Sequence, residues 1–245
     1  ITGADSAALG TDYSGNGNNF TSSGLTTTDQ VTDTPTNNFC TLSSIAEYGT
    51  IGSMGIADGN LFSSPGGVST NKGWRSTFSL PSGKWYFETT FNQNNTGNNV
   101  GVGVGEAGVV PGETATSVRW MDNPSLRQNA VGAAYGTAIT SGDILNVAID
   151  VDAGKVWFGL NGTWFASGDP AAGTSESASG LTSLPLVVSS YHYGNTGTTT
   201  FDFGQLGFAY TPPTGFTALS TANLPAPAIK DGSKYFQTTL YTGNG

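Results

Sequence analysis

Residues 143–165 read DILNVAIDVDAGKVWFGLNGTWF, and this stretch decides the fold. Leu145, Val147, Ile149 and Val151 alternate with Asn146, Ala148 and Asp150, the period of two expected of a β-strand. Asp152-Ala153-Gly154 supplies turn residues. Val156, Phe158 and Leu160 then resume the alternation. Asn161-Gly162 follows, a strong two-residue hairpin signal because a type I′ turn needs positive φ at both central positions. Three strands joined by two tight turns make an antiparallel meander.

The same period extends outward in both directions. In Lys84–Phe91, Trp85, Phe87 and Phe91 share one face, while Tyr86 and Glu88 share the other. Val100-Gly101-Val102-Gly103-Val104-Gly105 puts three valines on one face and three glycines on the other. The glycine face must be approached closely, and the expected neighbour is an aromatic from the next strand. Residues 184–191 and 198–203 read as further strands. Residues 208–216 contain Pro212-Pro213 and read as an extended cover, because proline cannot donate to a ladder. Helical periodicity is nearly absent; the best candidate is Pro111 to Met121, with room for two or three turns at most. Many short strands cut by Gly, Asn, Asp and Pro predict an all-β sandwich. We expect one domain over 1–245, with a recognisable core at 83–205, a polar arm at 1–60 and a Pro-rich cover at 207–245 that includes Pro225 and Pro227. The chain reads as a piece of a longer polypeptide.

Composition limits the function. The 245 residues hold 8 Lys+Arg against 17 Asp+Glu, a net charge of −9. With no basic run, the chain lacks the cations that displace counterions from phosphate, which argues against nucleic acid and anionic membrane surfaces. Charged residues are only 10%, so solubility rests on Thr, Ser, Asn and Gly. The 13 Phe, 9 Tyr and 5 Trp suffice to fill one core. A single Cys, Cys40, excludes an intrachain disulfide framework and a Cys-rich zinc site. No apolar run reaches the roughly 18 residues of a membrane span, so no membrane insertion is expected.

Three ordered blocks resemble the SPRY family. Gly83-Lys84-Trp85-Tyr86-Phe87-Glu88 is similar to its Gly-x-aromatic-Tyr-aromatic-Glu strand. Gly142-Asp143 through Asp150-Val151-Asp152 and Trp157-Phe158 to Asn161-Gly162 is similar to its Gly-Asp, Asp-hydrophobic-Asp and Asn-Gly hairpin. Thr200-Phe201-Asp202-Phe203-Gly204-Gln205 is similar to its closing Asn-Phe-Gly, with Asp202 where Asn is usual. The resemblance implies a concanavalin A-like jelly-roll sandwich of two antiparallel sheets that binds ligands through surface loops and is not known for catalysis. The flanks, Asp12 to Asn18, Asp33 to Asn38 and Pro212 to Phe216 through to Gly245, resemble segments around SPRY domains in bacteriophage virion proteins, including tail-fibre and appendage components.

Candidate chemistry is sparse. Cys40 and His192, the only Cys and the only His, formally allow a nucleophile–base pair, but neither sits in a recognisable motif. Asp150 and Asp152 have the i, i+2 spacing of carboxylates on one strand face, as a glycoside hydrolase would use; the simpler reading is a hairpin turn. Asp12, Asn16 and Asn18 suggest a calcium loop but lack the full ligand spacing, and a capped turn is the simpler reading. Asp5, Asp58 and Asn60 are weaker calcium candidates. Asn19-Phe20-Thr21, Asn94-Asn95-Thr96 and Asn161-Gly162-Thr163 match the glycosylation pattern, which carries no meaning in a phage protein.

The stretch Glu106 to Tyr135 is the richest in recognition chemistry. Arg119, Trp120 and Asp122 lie close together with Arg127 beyond, a combination typical of interface hot spots and suited to sugar rings. The alternative is a core-plugging Trp120 and a solvated Arg119. Tyr191, His192 and Tyr193 pose the same choice. These residues are the expected ligand contacts. The expected function is a non-enzymatic module of a phage tail fibre, appendage or capsid fibre on the virion surface. Its partner would be a host-surface protein or glycan, or a neighbouring virion subunit, with no cofactor beyond a possible calcium ion. A homo-oligomer is compatible with the full-length protein. A carbohydrate-active or carbohydrate-binding sandwich and an inert spacer are the alternatives.

Overall fold

The computed structural model describes residues 8–25, 30–34, 36–49, 54–65, 68–92, 100–194, 196–224, 229, 231–236 and 238–243. Asp5, the Asn94-Asn95-Thr96 pattern, Pro225 and Pro227 lie outside them. The strands in chain order are β1 (Leu42–Tyr48), β2 (Gly55–Ala57), β3 (Phe62–Ser64), β4 (Val68–Ser76), β5 (Lys84–Phe91), β6 (Val100–Glu106), β7 (Val118–Met121) and β8 (Ser125–Gln128). They continue with β9 (Val131–Ala134), β10 (Ile144–Asp150), β11 (Lys155–Leu160), β12 (Thr163–Trp164), β13 (Ala178–Ser179), β14 (Leu186–Gly194), β15 (Thr199–Asp202) and β16 (Thr217–Ala218).

They form two sheets. The seven-stranded sheet runs β1-β4-β14-β6-β7-β8-β9. The nine-stranded sheet runs β12-β11-β10-β5-β15-β3-β2, with β13 beside β11 and β16 beside β5. Every pairing is antiparallel except β16 with β5. The central meander behaves as read: β10 pairs with β11 from Leu145↔Leu160 to Asp150↔Lys155. Asn161 (φ 50°) and Gly162 (φ 79°) turn the chain with the two positive φ values that a type I′ hairpin requires.

Alternation fixes which side chains enter the core. Trp85, Phe87 and Phe91 of β5, Leu145, Val147 and Ile149 of β10, and Phe201 pack from the nine-stranded sheet. Val100, Val102 and Val104 of β6, Val118 and Trp120 of β7, and Leu186 and Val188 of β14 pack from the other. Tyr86, Ala148 and Trp157 point the opposite way, onto the outer face of the nine-stranded sheet, where Phe216 and Phe208 of the C-terminal cover close over them. The chain beyond Phe216 then places β16 alongside Trp85 and Tyr86. Among the described residues no helix is long and apolar enough to cross a membrane.

Two local expectations are corrected. Pro111–Met121 forms turns and then β7 rather than helix. Gly112 has φ +83°, and Val118 and Trp120 point inward while Arg119 points outward, a period of two that no helix satisfies. The glycine face of β6 is approached not by an aromatic but by Pro111 over Gly103, Ser117 over Gly105 and Met121 beside Gly101. The loop from 107 to 117 folds back across that face, and its small residues fill the space.

Candidate recognition site

The chain has three arginines, Arg75, Arg119 and Arg127, far apart in sequence. The register of the seven-stranded sheet brings them into one line. Arg75 lies opposite Ser189, Ser189 opposite Gly103, Gly103 opposite Arg119, and Arg119 opposite Arg127. Residues directly opposite one another point to the same face. All three arginines therefore stand in one cross-strand row on the outer face.

The glycines of β6 explain how the row packs. β6 lies between β7 and β14. The Arg119 guanidinium nevertheless reaches across it and stacks 4.2 Å from the centroid of the Tyr191 ring. A β-carbon at Gly101 would run into the Trp120 carbonyl and Met121, and one at Gly103 into the Pro111 ring. Arg119 Nη1 also donates to the Pro111 carbonyl and to Glu113 Oε1 at 2.8 Å. Arg127 donates from Nε to Oε1 (3.0 Å) and from Nη2 to Oε2 (3.1 Å) of the same carboxylate. Glu113 is thus gripped by two guanidinium groups, one of them bidentate. Hydrogen bonds from Arg127 and then Arg119 hold its carboxyl below the usual range, and Glu113 in turn raises Arg127. Tyr48 completes the face: its hydroxyl donates to the Ser190 carbonyl at 2.6 Å, and Arg75 stands 5.3 Å over its ring. The Tyr191 hydroxyl donates to Asn71 Oδ1 at 2.8 Å. Burial raises the pKa of both phenols, so they stay neutral.

Exposure sorts the expected ligand contacts. Arg119 is only 4% exposed and Tyr191 is buried; both shape the face from below. Arg127 and Glu113 remain 29% and 28% exposed along their side chains. Tyr193 is exposed. Three expected contacts are corrected. Trp120 is fully buried, stacked on Phe165 and donating to the Tyr135 carbonyl, so no ligand can reach its ring. Asp122 is also fully buried. His192 is buried between the sheets, its Nε2 2.7 Å from Ser63 Oγ, and burial lowers its pKa to about 3.

The other candidate groups have partners within the chain. Asp150 is buried and pairs with Lys84 at 3.0 Å. Asp152 accepts from the Gly83 amide. These two carboxylates build a turn rather than flank a cleft. Burial pushes the Cys40 thiol up to about 11, far from a reactive thiolate. The Asp12 carboxylate accepts from the Ser14 amide and hydroxyl and from the Asn18 amide. The Ser14 hydroxyl bond is the leading cause of its lowered pKa. With these bonds its oxygens cap a turn, and Asn16 and Asn18 contribute to the loop through their backbone amides. Tyr48, Arg75 and Glu113 were not legible as site residues, although the scarcity of arginine was a usable signal.

No family model matches the chain, and no curated protein matches it. Solved structures do. The SPRY domain of human HERC1 is similar over 65% of this chain and 96% of its own, at 14% identity and a TM-score of 0.51. The stonustoxin structure is similar over 67% of this chain at 17% identity and a TM-score of 0.50. The matched region makes up 27% of the stonustoxin chain. At these identities the likeness speaks for architecture alone, and the architecture is a SPRY-like β-sandwich of two antiparallel sheets.

Proposed function

We propose that this chain is a non-enzymatic recognition module of a bacteriophage virion protein, from a tail fibre, an appendage or a capsid fibre. It would present the rim of its seven-stranded sheet to a host-surface protein or glycan, or to a neighbouring virion subunit. The observation that supports recognition is the Arg119–Glu113–Arg127 clamp. It fixes the 107–117 loop on the sheet and leaves Arg127 and Glu113 partly at the surface. A contact surface fixed in advance loses less entropy on binding. The virion setting rests on the resemblance of the flanking segments, and the absence of covalent chemistry on the buried or turn-building roles of Cys40, His192, Asp150 and Asp152.

The test is binding of the purified chain to host cells, to a glycan array and to the virion's other subunits. Wild type binds one of the three. Arg127→Ala and Tyr193→Ala weaken that binding about tenfold or more, as central contacts do, with circular dichroism unchanged. Absence of binding in all three formats would overturn the reading.

A further inference from the structure

A cleft of about 530 Å³, lined by none of the three arginines, opens beside the N-terminal arm. Its volume falls within the range of ligand pockets. Leu25, Val31, Leu61 and Leu206 give it apolar walls, and Asp33 and Asp58 give it two carboxylates. Leu25 and Leu206 are exposed where they border it. A complementary occupant has large apolar side chains and a cation among them.

This chain carries such a segment. Ile229, Tyr235, Phe236, Leu240 and Tyr241 are all exposed, most of them strongly. Lys234 sits among them with its side chain 74% exposed and a 3.8 Å pairing with Asp231. So much apolar surface in one short segment marks an interaction site. The root of the segment is pinned: the Thr221 amide donates to the Asn38 carbonyl, the Asn38 amide to Thr221 Oγ1, and the Ala222 amide to Asn37 Oδ1. Beyond that root, none of the described tail residues lines the chain's own cleft. The described tail residues display the chemistry that the cleft lacks.

We propose that Lys234, Tyr235 and Phe236 of one copy occupy the arm cleft of a second copy, with Tyr235 and Phe236 against Leu25 and Leu206 and Lys234 facing Asp33 and Asp58. Cleft and tail are different surfaces, so the contact is head to tail. Each copy uses both, and association continues until a ring closes or a filament grows.

Light scattering coupled to size exclusion, on the full chain over a wide concentration range, tests this. Wild-type mass rises above that of a monomer with concentration. Leu206→Glu, in the cleft wall, and Phe236→Glu, in the tail, each hold the chain monomeric. Both positions are exposed, so circular dichroism and Tm stay at wild-type values. Mixing the two variants restores a single contact, because one supplies an intact tail and the other an intact cleft, and a dimer forms. Asp58→Asn weakens wild-type association about fivefold, as loss of an exposed ion pair does. A wild type that stays monomeric, variants that assemble like wild type, or a mixture no larger than its components would each overturn the proposal; the first would mean that cleft and tail do not join separate copies.

Discussion

The two sheets finish their outer faces in opposite ways. On the nine-stranded sheet the face is a second small core: Tyr86, Ala148, Trp157 and Phe216 are buried, with Trp164 and Phe208 against them. Tyr86 meets Phe208 edge-on at 4.9 Å and Trp157 meets Phe216 edge-on at 6.2 Å. On the seven-stranded sheet the corresponding layer is glycine, arginine and tyrosine, closed by a loop held through Glu113. An apolar lid leaves nothing for a ligand to read. A lid held by charges keeps guanidinium and carboxylate groups at its edge. Under the function proposed above, the first face serves stability and the second carries recognition.

The largest expected effect tests the apolar lid. Glu88 is 3% exposed. Its carboxylate accepts from the Tyr86 hydroxyl at 2.7 Å and from the amides of Ala209 and Tyr210 at 2.8 and 2.9 Å. It is the polar rivet of the C-terminal cover. Glu88→Ala leaves the buried Tyr86 hydroxyl and two part-buried amides without their acceptor and should cost about 3–4 kcal/mol in urea unfolding. Limited proteolysis near residues 207–215 should accelerate with it. A cost under about 1 kcal/mol would show that the cover is held by apolar contact alone.

The next effect comes from the layer between the faces. His192 is buried against Ser63, with Lys72 further disfavouring its protonation, and its pKa lies near 3 rather than the usual 6.5. The unfolded chain therefore takes up a proton first. The stabilisation is fully present above about pH 6.5 and is lost as pH falls toward 3, at about 1.4 kcal/mol per unit. Chemical denaturation should show about 3 kcal/mol less stability at about pH 4 than at about pH 7. His192→Gln should flatten most of that slope; an unchanged slope would place the acid sensitivity elsewhere.

Gly103 comes third. A β-carbon there would run into the Pro111 ring, which is backed by the rest of the 107–117 loop. Gly103→Ala should cost about 1–3 kcal/mol, as overpacking does. It should also lift the loop, so that binding through Arg127 weakens in parallel. A tolerated alanine would show that the loop does not need the glycine face.

These residues also show what the sequence could reveal. The alternation in β5 and β10 was visible because each strand reports its own two faces locally, and Asn161-Gly162 because a turn's φ requirement is local too. The arginine row was invisible because it depends on five strands in register, a non-local property. The misplaced contacts have one cause. Arg119 and Trp120, like Tyr191 and His192, are neighbours in the chain and point to opposite faces of the sheet. Reading such runs as single surface patches assigned Trp120 and His192, which are core residues, to the ligand. Pro111–Met121 failed as a helix because four strand residues are too few to display a period against a background of turns.

The smallest effect tests the charged lid directly. Glu113→Gln keeps the shape of the side chain and removes the charge that Arg119 and Arg127 share. Arg119 keeps the Pro111 carbonyl and its stack on Tyr191, so it is not stranded. Glu113 is 28% exposed, and solvent screens part of what is lost. The expected cost is about 1 kcal/mol at neutral pH. The sign of its pH dependence follows from the lowered carboxyl pKa. The contribution is present above the ordinary glutamate value and fades as pH falls through the folded value. Wild type and Glu113→Gln should therefore converge in acid, most readably in the His192→Gln background, where the buried imidazole no longer dominates. The substitution should leave proteolysis of the C-terminal cover untouched, because no bond joins Glu113 to Glu88. If the cover also loosened, the two faces would be one cooperative unit, and the division between a stability face and a recognition face would fall.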